Sequence, residues 1–200
     1  YALSINDFTH NVDIGGGYTN SNLHIFSKNL NLKGPNAYIS LEGNLTKDNS
    51  LSLVTDITAS LLTLDSDSFL VRKNMEDEDL NDVFNNRYMV ECFFGIKKYF
   101  ILNQKTRFFG VYGLHTNNII IECDELLWMF FNTGFFLGCG INYTLDNGMS
   151  INVGYNASID FIPIYITDFY FINEFNDNID PSDTFIATSS VAYMSFKIRI

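Results

Sequence analysis

Between residues 149 and 161 apolar and polar side chains alternate without a break. Met149, Ile151, Val153, Tyr155, Ala157, Ile159 and Phe161 share one face; Ser150, Asn152, Gly154, Asn156, Ser158 and Asp160 share the other. A period of two predicts a β-strand, because a helix would need apolar spacings of three and four. The chemistry of the polar face matters as much as the period. It is made of Ser, Asn, Gly and one Asp rather than the long Lys, Glu and Arg side chains common on a strand facing bulk water. Small hydrogen-bonding groups fit a narrow interior, and Ile, Val, Tyr and Phe suit hydrocarbon. The wall is expected to be inside out.

The same rhythm runs along the chain. Three short turns, at residues 47–49, 103–105 and 146–148, alternate with four long loops, at about 19–35, 65–86, 116–132 and 162–183. Asp146-Asn147-Gly148 is a strong hairpin signal, and Thr46-Lys47-Asp48-Asn49 is rich in residues that tolerate tight backbone geometry. Strands are expected at about 11–18 (the least clear), 36–45, 50–64, 87–102, 106–115 (of ambiguous facing), 134–143 and 149–161. An eighth ends at residue 200. The fold class expected is all-β, an eight-stranded antiparallel up-and-down transmembrane β-barrel, one domain over residues 1–200.

Composition changes this picture little. The longest apolar runs, such as residues 126–131, fall far short of the roughly 18–20 residues a spanning helix needs. A barrel escapes that requirement, since only alternate residues touch lipid and closure pairs every backbone group. The aromatic fraction of 16%, with 19 Phe and 11 Tyr, suits aromatic girdles at two membrane interfaces. Residues 1–10 carry neither a basic start nor an apolar core, so in an exported protein the numbering is expected to begin near a mature terminus.

The architecture resembles the small outer-membrane barrels of diderm bacteria, the eight-stranded group that includes the transmembrane domain of outer-membrane protein A and its X- and W-type relatives. The resemblance covers nearly the whole chain and rests on the turn-and-loop rhythm. The alternating last strand, Met194-Ser195-Phe196-Lys197-Ile198-Arg199-Ile200, is similar to the C-terminal segment read by barrel-assembly machinery, with Ile200 where that pattern has an aromatic residue. The resemblance implies a bacterial outer-membrane location, short turns and both termini in the periplasm, and surface-exposed long loops.

Parity places several charges on the inner face: Glu42, Asp56, Glu91, Lys97, Asp160, Lys197 and Arg199. Of these, Glu42, Asp56, Lys97 and Lys197 fall at similar depth counted from the short turns. An isolated charge in a narrow interior costs several kcal/mol, so these groups are expected to pair as a mixed-charge cluster in the lumen. That cluster reads either as a plug that fills and specifies the barrel or as a gate in a narrow conductance path.

The net charge of −11 comes largely from the second and fourth loops, and the Glu76–Asp79 run in the second matches no calcium-binding loop and reads as a solvated charge run. Such a surface repels phosphate, so no nucleic-acid partner is expected. The third and fourth loops are unusually apolar, with Trp128, Phe130, Phe131, Tyr165 and Tyr170 as interaction candidates. Two readings stand: strands that continue above the membrane with loops folded together, or a site for an apolar ligand or a protein partner.

Catalytic signals are sparse. His10, His24 and His115 lack metal spacing, and neither a G-x-S-x-G elbow nor an H-E-x-x-H motif occurs. Some outer-membrane barrels are proteases or acyltransferases, which makes His115, expected at the outer rim, the one histidine worth testing. Gly15-Gly16-Gly17 lacks the lysine of a phosphate loop and reads as a place for close packing or bending. Cys92 and Cys139 fall at lipid-facing parity on strands not expected to be neighbours, and Cys123 falls in a loop, so no disulfide framework is expected. A reactive loop thiol at Cys123 is the alternative.

The function expected is a non-enzymatic, structural or adhesion-type role without metal or cofactor. The partners are outer-membrane lipid and, through the loops, a host or envelope protein. A narrow, porin-like channel or binding site for small or hydrophobic solutes is the alternative. A third reading, a soluble lipid-binding calyx, predicts solubility without detergent.

Overall fold

The computed structural model describes residues 10–25, 28–64, 86–123, 126–167 and 186–199. They form strands β1 (His10–Ile25), β2 (Lys28–Asn44), β3 (Leu51–Leu61), β4 (Thr63–Leu64), β5 (Asn86–Ile101), β6 (Thr106–Cys123), β7 (Leu126–Thr144), β8 (Ser150–Thr167) and β9 (Ile186–Arg199). Strands β3 and β4 are one stave interrupted at Leu62, whose N–H still reaches the Arg87 carbonyl at 2.8 Å. Eight staves result.

Each stave pairs antiparallel with its neighbours in sequence, and β1 pairs with both β2 and β9. The closing seam runs from Asn11 opposite Arg199 to His24 opposite Ile186. Closure leaves no sheet edge, which is what a strand-built membrane crossing requires. Among the described residues no helix is long and apolar enough to cross a membrane.

Side chains sort as the alternation requires. Leu137 is 68% exposed and Val153 55%, whereas Asn142, Asn152 and Ser195 are fully buried. Outward aromatics mark both ends of the apolar band, with Tyr112 and Tyr155 between them. Phe100, Phe108, Tyr143 and Phe196 lie near the short turns, and Tyr18, Tyr88, Phe135 and Phe161 lie toward the long-loop end. Phe135 and Phe161 touch, with ring centroids 4.8 Å apart.

The short turns are held locally. Asn49 takes a φ of 54° and Gly148 a φ of 83°, the left-handed region where glycine and asparagine are least strained. In the turn between β5 and β6, the Asn103 side-chain oxygen accepts hydrogen bonds from the Lys105 and Thr106 N–H groups at 2.9 and 2.8 Å.

The structure corrects several boundaries. Residues 19–25 and 28–35 are strand rather than loop, paired from Thr19 opposite Gly34 to Ile25 opposite Lys28. Likewise β6 and β7 stay paired up to Cys123 opposite Leu126, and β8 reaches Thr167, so Cys123 ends a strand instead of lying in a loop. The reasons differ: residues 19–35 are largely polar and without a sustained period of two, whereas residues 119–121 and 126–131 are apolar at successive positions, so alternation marks neither as a strand. The facing of residues 106–115 is also fixed, with Phe109, Val111 and His115 inside and Phe108, Tyr112 and Leu114 outside. The second loop and most of the fourth lie outside the described residues, as do residues 1–9 and Ile200.

Leu137 pairs with Tyr112 and Ala157 midway up the apolar band. Leu137→Arg is expected to lower the unfolding free energy in phospholipid vesicles by about 2–4 kcal/mol, measured by urea titration. A change below about 0.5 kcal/mol, the usual cost at a hydrated surface, would place this face in water.

Candidate functional site

The interior is filled in layers, each built by inward parity positions of several staves. Nearest the short turns, Glu42 of β2 is the hub. Its Oε2 accepts hydrogen bonds from Lys197 Nζ at 2.6 Å, Tyr99 OH at 2.8 Å and Lys97 Nζ at 3.3 Å. Its Oε1 accepts one from Ser52 Oγ at 2.9 Å. Lys97 Nζ also lies 4.2 Å from the centre of the Phe109 ring, a cation–π contact that partly replaces lost hydration. Four staves thus meet at one carboxylate.

A second polar chain crosses the same level. The Arg107 guanidinium packs 4.5 Å from the Tyr99 ring centre and donates from Nε and Nη2 to Asn142 Oδ1 at 3.3 and 3.2 Å. Asn142 donates to Asn152 at 2.7 Å, and Asn152 donates to Asp13 at 2.9 Å. Asparagine can continue such a chain because it both donates and accepts.

Above this layer the lumen is mainly aromatic and aliphatic, with Asp56 buried across from Phe93 and Asn156 across from Val191. Tyr38 and Tyr193 stack with centroids 4.2 Å apart, and Phe93 meets Phe136 edge-on at 5.0 Å. Val54, Phe109, Val111 and Val191 complete a buried cluster. Glycines on facing staves make the room: a Cβ on Gly154 would strike the Tyr193 ring, and one on Gly95 would sit 2.9 Å from Phe136.

A third layer lies toward the long loops. His115 Nε2 stands 2.6 Å from Asp160 Oδ1, and Phe93 stacks on the imidazole with centroids 5.8 Å apart. Asn117 donates to Asp160 Oδ2 at 3.1 Å, and Asn132 donates to Asn117 at 3.1 Å. Glu91 accepts from the Ser189 hydroxyl, which also meets Ser158 Oγ at 2.6 Å.

The seven inward charges proposed from sequence therefore divide by height. Glu42, Lys97 and Lys197 come together; Glu91 and Asp160 belong to the upper layer. Asp56 is buried opposite Ser40, with no ion pair among the described residues. Arg199 is exposed at the short-turn mouth, lining a cavity of about 150 Å³. His115 is a correction: it is buried in the lumen rather than placed at the rim. Of the apolar loop candidates, Phe131 is half-buried on β7, and Trp128 and Phe130 lie on the same strand, opposite Thr167 and Tyr165 of β8. Tyr170 lies outside the described residues.

Tyr99, Arg107 and Asp13 are the partners that sequence reasoning missed. Tyr99 was within reach, two residues beyond Lys97 and so on the same face. Arg107 and Asp13 fall on the two strands whose facing the pattern leaves open. Among the described residues no three His, Cys, Asp or Glu side chains converge as a metal site. Cys92 and Cys139 are free and sit on the outer wall, half-buried and exposed respectively.

Glu42→Ala would strand two lysines in the interior and is expected to cost about 3–5 kcal/mol in urea unfolding. Asp146→Asn, which removes an exposed pair with Lys105 at 2.5 Å, should cost no more than about 1 kcal/mol. Equal costs would contradict a buried, tightly coupled hub.

No protein-family profile matches the sequence, and no curated protein does. Solved structures do resemble the barrel. Neisserial surface protein A superimposes with a TM-score of 0.59 over 97% of this chain and 97% of that one, at 10% identity. The outer-membrane protein AlkL, solved by solid-state NMR in DMPC bilayers, superimposes with a TM-score of 0.50 over 100% of this chain and 94% of that one, at 8% identity. Identities this low make the likeness one of fold.

Proposed function

We propose that this chain, which has the fold of small eight-stranded outer-membrane β-barrels, is a non-enzymatic integral protein of a bacterial outer membrane with a structural or surface-interaction role. Its short turns and termini face the periplasm in this reading, and its long loops face outside. The observation that carries the reading is the filled lumen. The Tyr38–Tyr193 and Phe93–Phe136 layer lies between two hydrogen-bonded polar layers, and the Tyr193 and Phe136 rings occupy space that Gly154 and Gly95 leave. Such packing supports a barrel that anchors and presents rather than one that conducts, because opening a path would mean displacing close-packed rings.

The loops then carry the interaction. The acidic residues of these loops, with Trp128, Phe130, Phe131 and Tyr165 on the adjoining parts of β7 and β8 and Tyr170 after them in the chain, support a host or envelope protein as partner over a nucleic acid. The seven-residue charge set is read as a plug, with Glu42, Lys97 and Lys197 as its tightest part.

Planar-bilayer recordings of the refolded chain separate the two readings. Silence is expected, with no unitary steps above background at applied voltages up to about 100 mV, a field worth about 2.3 kcal/mol per charge. Reproducible unitary conductance would favour a narrow solute channel instead.

A further inference from the structure

We propose that the short-turn mouth of the lumen is a binding site for a small oxyanion of the phosphate class. The cavity there, about 150 Å³, is lined by Arg107, Lys197 and Arg199 together with Asn11, Asn49 and Ser150. Its volume admits several waters, and so a tetrahedral oxyanion with part of its hydration. Three cations face it against one carboxylate, Glu42, in a chain whose net charge is −11. That carboxylate is already occupied by two lysines, a tyrosine and a serine. The mouth is therefore a local excess of positive charge on an acidic protein.

The donors are held in place before any anion arrives. Arg107 is fixed between the Tyr99 ring and Asn142, and its two hydrogen bonds to Asn142 use Nε and Nη2. A guanidinium carries five N–H groups, so three remain for a ligand, in the planar fork that suits oxyanions. Lys197 spends two donors, on Glu42 and Tyr99, and keeps one. Arg199, opposite Asn11 across the β1–β9 seam, is exposed and has no ion pair among the described residues. Asparagine amides and the Ser150 hydroxyl add neutral donors. An apolar solute finds little here to bury against, and a cation would meet like charge.

The test is a titration of inorganic phosphate into the refolded barrel in zwitterionic micelles at low ionic strength, followed by the arginine side-chain N–H resonances. Saturable shifts at Arg107 and Arg199 are expected. Arg199→Gln, an exposed position whose loss leaves the fold intact, should weaken binding about tenfold, while Lys105→Gln on the neighbouring turn should leave it unchanged. A parallel sample in bicelles containing phosphatidylglycerol, without added phosphate, distinguishes the source. Arg199-dependent shifts there assign the site to a lipid headgroup, and their absence beside a phosphate response assigns it to a free anion. Unsaturable shifts in both samples, or equal affinity in Arg199→Gln, would overturn the proposal.

Discussion

A chain that crosses hydrocarbon has nowhere to leave a backbone N–H or C=O unpaired, and each one stranded there would cost several kcal/mol. In this protein that demand is met by a single seam, where β1 and β9 pair from Asn11 opposite Arg199 to His24 opposite Ile186. Everything else follows from the closed sheet. Closure fixes which side of each strand faces lipid, and the period of two then assigns every side chain to wall or lumen. The seam is also where Gly15 and Gly17 lie, and a Cβ on either would run into the β9 backbone. Gly15 and Gly17, within the first strand, thus permit a close approach at the joint on which the barrel depends.

With lipid outside, the ordinary logic of burial is reversed, and the interior must be both polar and full. The solution is layered. A carboxylate satisfied by two lysines, a tyrosine and a serine lies beneath a plug of tyrosine and phenylalanine, with a histidine–aspartate pair above it. Charges taken out of water are tolerated only where geometry and further hydrogen bonds offset their desolvation, and Glu42 has four such contacts. The aromatic layer is accommodated by glycine in place of side chains at Gly95 and Gly154, which leaves room for the Phe136 and Tyr193 rings.

How far the sequence spoke depends on how strongly the environment constrains each residue. From Met149 to Phe161 hydrocarbon presses on one face and the lumen on the other; the alternation there reads directly onto the structure, as does the Asp146-Asn147-Gly148 hairpin. Around Phe108 and Phe109 both faces are apolar, one against lipid and one in the lumen plug, so parity could not be told from composition. From Thr19 to Pro35 the sequence is rich in Asn, Ser and Lys with no sustained alternation, so the strands paired there read like a loop. The ion-pair hub was partly visible, because Glu42, Lys97 and Lys197 share inward parity and similar depth. Arg107 and Asp13 were hidden by the two ambiguous strands, and the depth of His115 by one of them. The acidic loops gave composition but no geometry.

The assignment of sides is open to one direct measurement. Single tryptophans placed in turn at residues 150–161, in a Trp128→Phe background, report lipid contact through quenching by brominated acyl chains. Strong quenching is expected at Ile151, Val153, Tyr155, Ala157 and Ile159 and weak quenching at Asn152, Gly154, Asn156 and Ser158, wherever the variants fold. A uniform profile, or one with the two sets exchanged, would contradict the inside-out wall and the account built on it.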